Sequence, residues 1–228
     1  VRIEGEAARV CPDKYGCTPQ IKGRIEHFVG RRMMNIDGIG EEMVNDLCEK
    51  GYLKNCADIY DLTAEQIKIL YVKGDKIADK ILAGIEASKS VPYERVLYAL
   101  SIPYVGETGA KKIARASGNI DRLMAMTEDE LMSIEDVGPN IARGIIEFFA
   151  DERNRSIVER LRAAGVTLDA PAVADVRSSD ILQGKSIVIS GTFNRHSRDQ
   201  YKALIEQHGG KNVGSISKKS DMVLAGEN

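Results

Sequence analysis

The sequence predicts a mostly α-helical fold followed by a small C-terminal α/β unit. From residue 18 to about residue 166 the pattern is helical and interrupted by glycines, and four similar turns have their final glycines at 40, 74, 106 and 138. The intervals of 34, 32 and 32 residues indicate one supersecondary unit that recurs. After residue 180 the pattern changes to short β-branched runs around one helix, which is typical of an α/β unit.

Local signals mark several helix ends. Thr18-Pro19 opens the first helix, with Thr18 as the cap. Capping boxes at 63–66 and 127–130 open two short helices, each several residues ahead of a glycine turn. A longer helix near 154–164 ends at Gly165. The repeat is therefore predicted to consist of a helix, a glycine hairpin and a second helix, and we number the hairpins one to four by their final glycines.

The C-terminal part is predicted to form a parallel sheet. Residues 169–180 contain few large apolar residues and are interpreted as a linker. A capping box at 197–200 opens a helix. Three strands are expected, near 185–190, 211–215 and 221–225. A strand, a helix and a second strand joined by a crossover of this length indicate parallel pairing.

The composition restricts the kinds of partner. The chain carries 32 Lys and Arg against 34 Asp and Glu, a net charge of −2, whereas a basic domain is the usual footprint of a nucleic-acid binder. Any binding to nucleic acid must therefore depend on local geometry and a few placed cations. No stretch approaches the length of a membrane span and no signal-peptide pattern opens the chain, so we expect a cytoplasmic protein with no membrane partner.

The glycine turns form the candidate binding site. A glycine directly before a helix lets another molecule approach the backbone, and the next N–H groups are the unpaired donors of a helix N-terminus, where the dipole favours an anion. Such contacts hold a nucleic-acid backbone without reading its sequence. The alternative is that the glycines only make tight turns, but four copies in register favour phosphate binding. The candidate residues are Gly38, Gly40, Gly74, Gly106 and Gly138, with Lys111, Lys112 and Arg143 as added cations.

Cys11 and Cys17 are the candidate metal ligands. Two thiolates with five residues between them could bind tetrahedral zinc, but a structural site needs four ligands, and His27 is the only nearby histidine. No Gly-x-Ser-x-Gly, His-Glu-x-x-His or P-loop motif is present, so no catalytic residue is predicted. Ser190-Gly191-Thr192 could hold a phosphate, but an ordinary turn after a strand is the favoured interpretation.

The order of these motifs resembles one protein family. The glycine turns are similar to the helix-hairpin-helix motif, which holds DNA by its backbone, and the C-terminal part resembles a BRCT domain. A two-cysteine knuckle, four hairpins and a half-formed BRCT-like unit, in this order, resemble the C-terminal portion of a bacterial NAD-dependent DNA ligase. The stretches that carry the resemblance are 20–28, 105–108, 134–139, 184–192, 209–211 and 215–221.

The resemblance implies a domain organisation and a set of partners. The parent enzyme would seal nicks in duplex DNA during replication and repair through a lysine adenylated from NAD. Its zinc site would take four cysteines, the last two at Cys11 and Cys17, and its partner would be nicked double-stranded DNA, bound by a monomer. The implied domains are a zinc-finger remnant with the first helix at 1–30, a helix-hairpin-helix domain at 31–168, a linker at 169–180 and a partial BRCT-like domain at 181–228.

The sequence departs from the family pattern in ways that restrict its activity. It has no Lys-x-Asp-Gly adenylation motif, and the nearest string, Asn35-Ile36-Asp37-Gly38, has asparagine in place of the lysine. Hairpin two carries Val72 where the motif has glycine, so backbone approach is expected to be hindered there. The first two zinc ligands would precede Val1, and the BRCT-like unit would continue beyond Asn228. The chain alone is therefore expected to clamp DNA without catalysing ligation.

Two other functions are compatible with the same sequence. A DNA-repair or recombination protein without ligase activity could use tandem hairpins in the same way. A helical-repeat scaffold for protein partners would normally show aromatic packing residues at fixed offsets, and aromatic residues make up only 5% of this chain. Binding to nicked DNA separates the scaffold from the other two.

Overall fold

The computed structural model describes residues 11, 13, 16–70, 74–170, 181–196, 198–216 and 220–227. It divides into two compact units, unit 1 (Val1–Ala172) and unit 2 (Val173–Asn228), which are described separately. The described part of unit 1 is built from helices, and that of unit 2 contains a three-stranded parallel sheet and a helix. The predicted fold class, mostly α with a small α/β unit, is confirmed.

Unit 1 is a succession of short helices. In chain order they are α1 (Thr18–Val29), α2 (Glu41–Glu49), the 3-10 helix Cys56–Asp61, α3 (Ala64–Lys68), α4 (Gly74–Ser88), α5 (Tyr93–Ala99), α6 (Glu107–Ser117), α7 (Ile120–Ala125), α8 (Glu128–Met132), α9 (Pro139–Ala150) and α10 (Glu152–Ala163). In the part of the chain that the structure describes, every helix is too short or too polar to cross a membrane.

The helix ends follow the capping residues. Both predicted capping boxes are present, since the hydroxyls of Thr63 and Thr127 accept hydrogen bonds from the backbone N–H groups three residues later. The cap of α1 is Cys17, one residue before the predicted Thr18. Helix α10 begins earlier than predicted because Asp151 caps it, and Gly165 follows it in the left-handed region at φ 87°.

One continuous apolar core holds the described part of unit 1 together. Phe28, Met34 and Tyr93 are among its largest fully buried side chains, and burial of each such side chain stabilises the fold by about 1.5–3 kcal/mol. Ile25 and Phe28 of α1 belong to this core, so α1 packs with the hairpins that follow it. The sequence had grouped α1 with a zinc-finger remnant at 1–30.

A guanidinium joins the end of unit 1 to its first half. Arg160 of α10 donates to Asp58 at 2.7 Å and also to Asp61, both in the 3-10 helix. Asp58 is largely buried and accepts two further hydrogen bonds from the backbone N–H groups of Lys54 and Asn55. The two partners of the 2.7 Å bond are 102 residues apart in sequence, so unit 1 is closed on itself.

The chain remains hydrogen-bonded to unit 1 after α10. The backbone N–H of Thr167 donates to the Lys89 carbonyl at 2.9 Å, and that of Ala170 donates to the Gly118 carbonyl at 2.7 Å. Asp169 forms an isolated antiparallel bridge with Asn119. Asp169 and Ala170 lie in the segment that the sequence assigned to a linker, and residues 171–180 of that segment lie outside the described residues.

Unit 2 contains a parallel sheet with strand order β2-β1-β3. Its elements are β1 (Ser186–Ser190), α11 (Arg198–Gln207), β2 (Lys211–Val213) and β3 (Met222–Ala225). Val188 of β1 is in register with Val213 and Val223, and Ile205 of α11 is buried together with β1. The three expected strands and their parallel pairing are confirmed. Ser197 of the expected capping box lies outside the described residues.

The hairpins pack in pairs through close approaches of helix to turn. A Cβ on Gly144 of α9, six residues after the final glycine of hairpin four, would lie 2.9 Å from the carbonyl oxygen of Pro103 in the turn of hairpin three. On α4, a Cβ on Gly84 would lie 3.6 Å from the Asp37 carbonyl oxygen in hairpin one. Helices α9 and α4 therefore each contact the turn of another hairpin at a glycine.

Gly144→Ala should destabilise unit 1 by about 1–3 kcal/mol, because the new methyl group meets backbone that cannot move aside freely. Gly109→Ala in α6 is the matched control, since a Cβ there meets nothing within 4 Å and alanine is the better helix former by about 0.5–1 kcal/mol. Urea unfolding measures both changes. Equal effects of the two substitutions would show that the contact with Pro103 is not tight.

Candidate nucleic-acid interface

Three final glycines occupy the same structural position. Gly40, Gly106 and Gly138 are the N-cap residues of α2, α6 and α9, with φ of −100°, −86° and −89° and an extended ψ. Their carbonyl oxygens accept hydrogen bonds from the N–H four residues later, at 2.9, 2.8 and 3.0 Å. No side chain caps any of these helices. The N–H groups of the first turn are therefore not engaged by a capping side chain.

The fold itself does not require glycine at these three positions. A Cβ on Gly40, Gly106 or Gly138 would meet nothing within 4 Å, and the backbone conformation is open to any residue. Gly40 and Gly106 are exposed and Gly138 is half-buried. The missing side chain leaves open space at the start of each helix, which fits the interpretation of a close approach by another molecule better than that of a tight turn.

In the three described turns, a left-handed residue stands two positions before the final glycine, and we call it the tip residue. Hairpins one and three each contain a second left-handed residue, three positions before the tip. The tip residues are Gly38, Tyr104 and Asp136, with φ of 96°, 65° and 64°. The final glycines themselves lie outside the left-handed region. Since Tyr104 and Asp136 hold this conformation without being glycine, a non-glycine tip does not by itself disrupt a hairpin. Val72, the tip residue of hairpin two, lies outside the described residues.

An apolar residue anchors each described turn between the tip and the final glycine. Ile39, Val105 and Val137 are at most 7% exposed. In hairpins three and four, the backbone N–H of this residue donates to the carbonyl three residues earlier. With its side chain in the core and its backbone bonded, the anchor fixes the tip residue and the final glycine at the surface.

The predicted cations near hairpins three and four differ in availability. Lys112 binds Asp136 and also Glu135, the latter at 3.1 Å, and these carboxylates raise the pKa of Lys112. Lys111 binds Glu107 at 3.2 Å on the surface of α6. Arg143 is exposed and forms no ion pair or hydrogen bond among the described residues. Of the three, Arg143 is the one whose charge is not already matched by a described carboxylate.

Hairpin one repeats the arrangement seen at Lys112. Lys80 of α4, six residues after Gly74, binds Asp37 at 2.6 Å and lowers the pKa of that carboxyl. Lys112 likewise stands six residues after Gly106 and binds Glu135, which, like Asp37, stands three residues before a final glycine. Each lysine therefore neutralises a carboxylate in the turn of another hairpin.

Hairpins one and three are also linked to each other. Arg32 binds Glu107, the first residue of α6, at 3.6 Å, and Arg95 donates to the backbone carbonyls of Arg31 and Arg32. An open groove of about 790 Å³ is lined by Glu26, Arg31 and residues 35–41 of hairpin one. Gly74 of hairpin two begins α4, but residues 71–73 lie outside the described residues.

Comparison with known proteins shows what parts of the chain are similar to. A model of the helix-hairpin-helix motif matches residues 95–158, which include hairpins three and four, and a model of the BRCA1 C Terminus (BRCT) domain matches residues 177–228. Proteins named DNA ligase from Phocaeicola vulgatus, Bacteroides fragilis and Flavobacterium johnsoniae are 52%, 51% and 43% identical over all 228 residues. The chain is homologous to a portion of DNA ligases. It spans 34% of the length of each of these ligases, and the resemblance to a C-terminal portion of a ligase is confirmed.

In the described part of the chain, the two cysteines expected to bind zinc do not lie in a cluster with further metal-binding side chains. Cys11 is exposed, Cys17 is half-buried at the start of α1, and neither forms a disulfide. Among the described residues, no group of three or more Cys, His, Asp or Glu could hold a metal ion. His27 instead contacts the Tyr98 carbonyl oxygen at 2.9 Å. The described part of the chain therefore does not fit a complete zinc site.

The polar turn after β1 forms hydrogen bonds with other residues of unit 2. Gly191 has φ 93°, and a Cβ there would lie 2.9 Å from the backbone of Gly226. The Arg198 guanidinium donates to the Gly191 carbonyl at 3.1 and 3.2 Å, and the Thr192 N–H donates to the Glu227 carbonyl. These contacts support the interpretation of Ser190-Gly191-Thr192 as a structural turn.

Three features of the site were missed at the level of sequence. Tyr104 is the tip residue of hairpin three, and aligning the turns by their final glycines would have placed it opposite Gly38. Lys80 could have been found by the same alignment, because it stands at the position of Lys112. Gly144, which lets α9 approach the turn of hairpin three, carries no comparable signal in a single sequence.

Gly106→Ser and Gly138→Ser should not lower the free energy of unfolding, because serine is a preferred N-cap and its Cβ meets nothing. Gly38→Ser should lower it by about 1 kcal/mol or more, since φ is 96° there and a Cβ would lie 2.9 Å from the Ile81 side chain. Urea unfolding of the three variants checks both expectations. A similar loss at all three positions would contradict the different roles of tip residue and final glycine.

Proposed function

We propose that this chain is the DNA-binding region of an NAD-dependent DNA ligase, and that it holds the sugar-phosphate backbone of nicked duplex DNA as a monomer. The observation that carries the proposal is the set of final glycines, which start helices with unobstructed N–H groups although the fold does not require glycine there. The relatives named DNA ligase support the choice of parent protein.

The proposed contact uses backbone rather than charge. A phosphate placed beside Gly40 or Gly106 would accept hydrogen bonds from the N–H groups of the first helical turn and would interact favourably with the helix dipole. At Gly138 the next residue is Pro139, which has no N–H, so this hairpin offers one donor fewer. Arg143 and Lys111 add charge near hairpins three and four. Such a grip acts from the minor-groove side and is independent of base sequence.

The chemistry of ligation is assigned to the rest of the parent enzyme. The string 35–38 belongs to hairpin one and contains no lysine, so we propose that NAD binds and the adenylated lysine lies outside this chain, which is inactive by itself. Cys11 and Cys17 offer two thiolates to a zinc site that other residues would have to complete. No role in the DNA contact is derived from that metal.

Affinity for nicked duplex DNA should fall with salt and should not depend on sequence. If a few phosphates are held, the slope of log affinity against log salt is about −2 to −4. Fluorescence anisotropy with two nicked duplexes of unrelated sequence, each titrated at several salt concentrations, measures both properties. A flat salt dependence, or a strong preference for one duplex, would exclude the backbone grip.

The double variant Gly106→Val and Gly138→Val should bind nicked DNA at least about tenfold more weakly, because two isopropyl groups fill the space in front of the helix N-termini. Valine is compatible with the extended backbone at both positions, so helix content in circular dichroism should not change. Gly23→Val in α1, where a Cβ also meets nothing, is the control outside the hairpins. Unchanged affinity of the double variant would mean that the hairpins are structural only.

Experiments can distinguish two alternative functions from the proposed one. A repair or recombination protein without ligase activity would share the DNA binding, but the ligase relatives match the whole chain and favour the ligase assignment. A protein-binding scaffold would show no affinity for nicked DNA in the same titration.

A further inference from the structure

Tyr104 presents an aromatic ring at the surface of hairpin three. Tyr104 is 62% exposed, and it is the one aromatic residue among the exposed large apolar side chains of the described residues. It stands two residues before Gly106, where the N–H groups of α6 begin. Its φ of 65° is uncommon for a bulky residue and has a conformational cost of order 1 kcal/mol. Glycine or asparagine would fit this backbone more easily.

Helix α9 passes beside the ring. A Cβ on Gly144 would lie 3.4 Å from Cδ2 of Tyr104 and 2.9 Å from the Pro103 carbonyl oxygen, so one edge of the ring faces the helix backbone. Gly144 itself is buried. The rest of the ring stands at the surface beside the final glycine.

The other described tips have different chemistry at the same backbone position. Gly38 has no side chain, and Asp136 carries a carboxylate that binds Lys112. Of the three described tips, the tip of hairpin three is the one that carries an aromatic side chain. The DNA contact at this hairpin therefore differs from the contacts at hairpins one and four.

We propose that the Tyr104 ring packs against the deoxyribose next to the phosphate that is held at Gly106; this inference rests on the proposed function. A phosphate in the backbone is flanked by sugars whose C–H faces are apolar, and a tip residue two positions before the phosphate-binding N–H groups is close enough to cover one of them. Tyrosine suits this role because its ring is apolar and its hydroxyl tolerates water. A sugar contact adds affinity without adding sequence preference.

The experiment compares substitutions at the tip by anisotropy titration with nicked duplex DNA. Tyr104→Gly should weaken binding about five- to tenfold, because the ring that makes the sugar contact is lost. Urea unfolding of the same variant verifies that it is folded at the temperature of the titration. The salt slope should equal that of the parent chain, because the lost contact is not ionic. Tyr104→Phe should bind like the parent, because the ring makes the contact.

Asp136→Gly is the matched control, because it makes the same backbone change at the equivalent position of hairpin four. It should not lower affinity, since it removes a negative charge and leaves Lys112 with one carboxylate partner, Glu135, in place of two. Tyr104→Asn, which also tolerates the left-handed region, repeats the test if the glycine variant does not fold.

The outcomes separate the inference from the function on which it rests. If the parent chain binds and Tyr104→Gly or Tyr104→Asn binds equally well, the sugar contact is wrong and the backbone grip is unaffected. If Asp136→Gly loses as much affinity as Tyr104→Gly, backbone flexibility rather than the ring explains the loss, and the inference is also wrong. If the parent chain does not bind nicked DNA, the proposed function fails and the inference fails with it.

Discussion

Burial of one apolar residue in every described hairpin turn is the constraint on which the rest of unit 1 depends. Ile39, Val105 and Val137 point into the core, and this fixes the residues on either side. The tip residue must turn back in the left-handed region, and the final glycine must start the next helix at the surface. Burial of each anchor stabilises the fold by about 1.5–3 kcal/mol. The same burial fixes the adjacent helix N-terminus at the surface, where it is exposed to solvent.

The charge distribution explains how a chain with a net charge of −2 is compatible with an anionic partner. Three carboxylates near the turns are matched, Asp37 by Lys80, Glu107 by Arg32 and Lys111, and Glu135 by Lys112. Glu41 and Glu42 at the start of α2 are exposed and form no ion pair among the described residues. Each exposed pair contributes little to stability, but together they limit the repulsion that a phosphate would meet. In the proposed complex with DNA, attraction would depend on oriented N–H groups, which a count of charged residues does not include.

The sequence predicted the repeat, the capping boxes and the three parallel strands because each depends on a local pattern. It did not predict which residue of a turn is left-handed, because in hairpins three and four the anchoring of Val105 and Val137 forces Tyr104 and Asp136 into a conformation that their own preferences do not favour. It placed Lys112 at the binding surface, whereas the structure pairs it with two carboxylates about 24 residues away. Contacts between hairpins decide these details, and such contacts leave little trace in one sequence.

Closure of unit 1 by Arg160 distinguishes this repeat from an open solenoid. In a solenoid each repeat contacts only its neighbours, so repeats can be added or removed and the array can unfold from one end. Here α10 binds the 3-10 helix across 102 residues, and that loop must close before the bond can form. We therefore expect that gaining or losing one repeat between the 3-10 helix and α10 would separate Arg160 from its carboxylates.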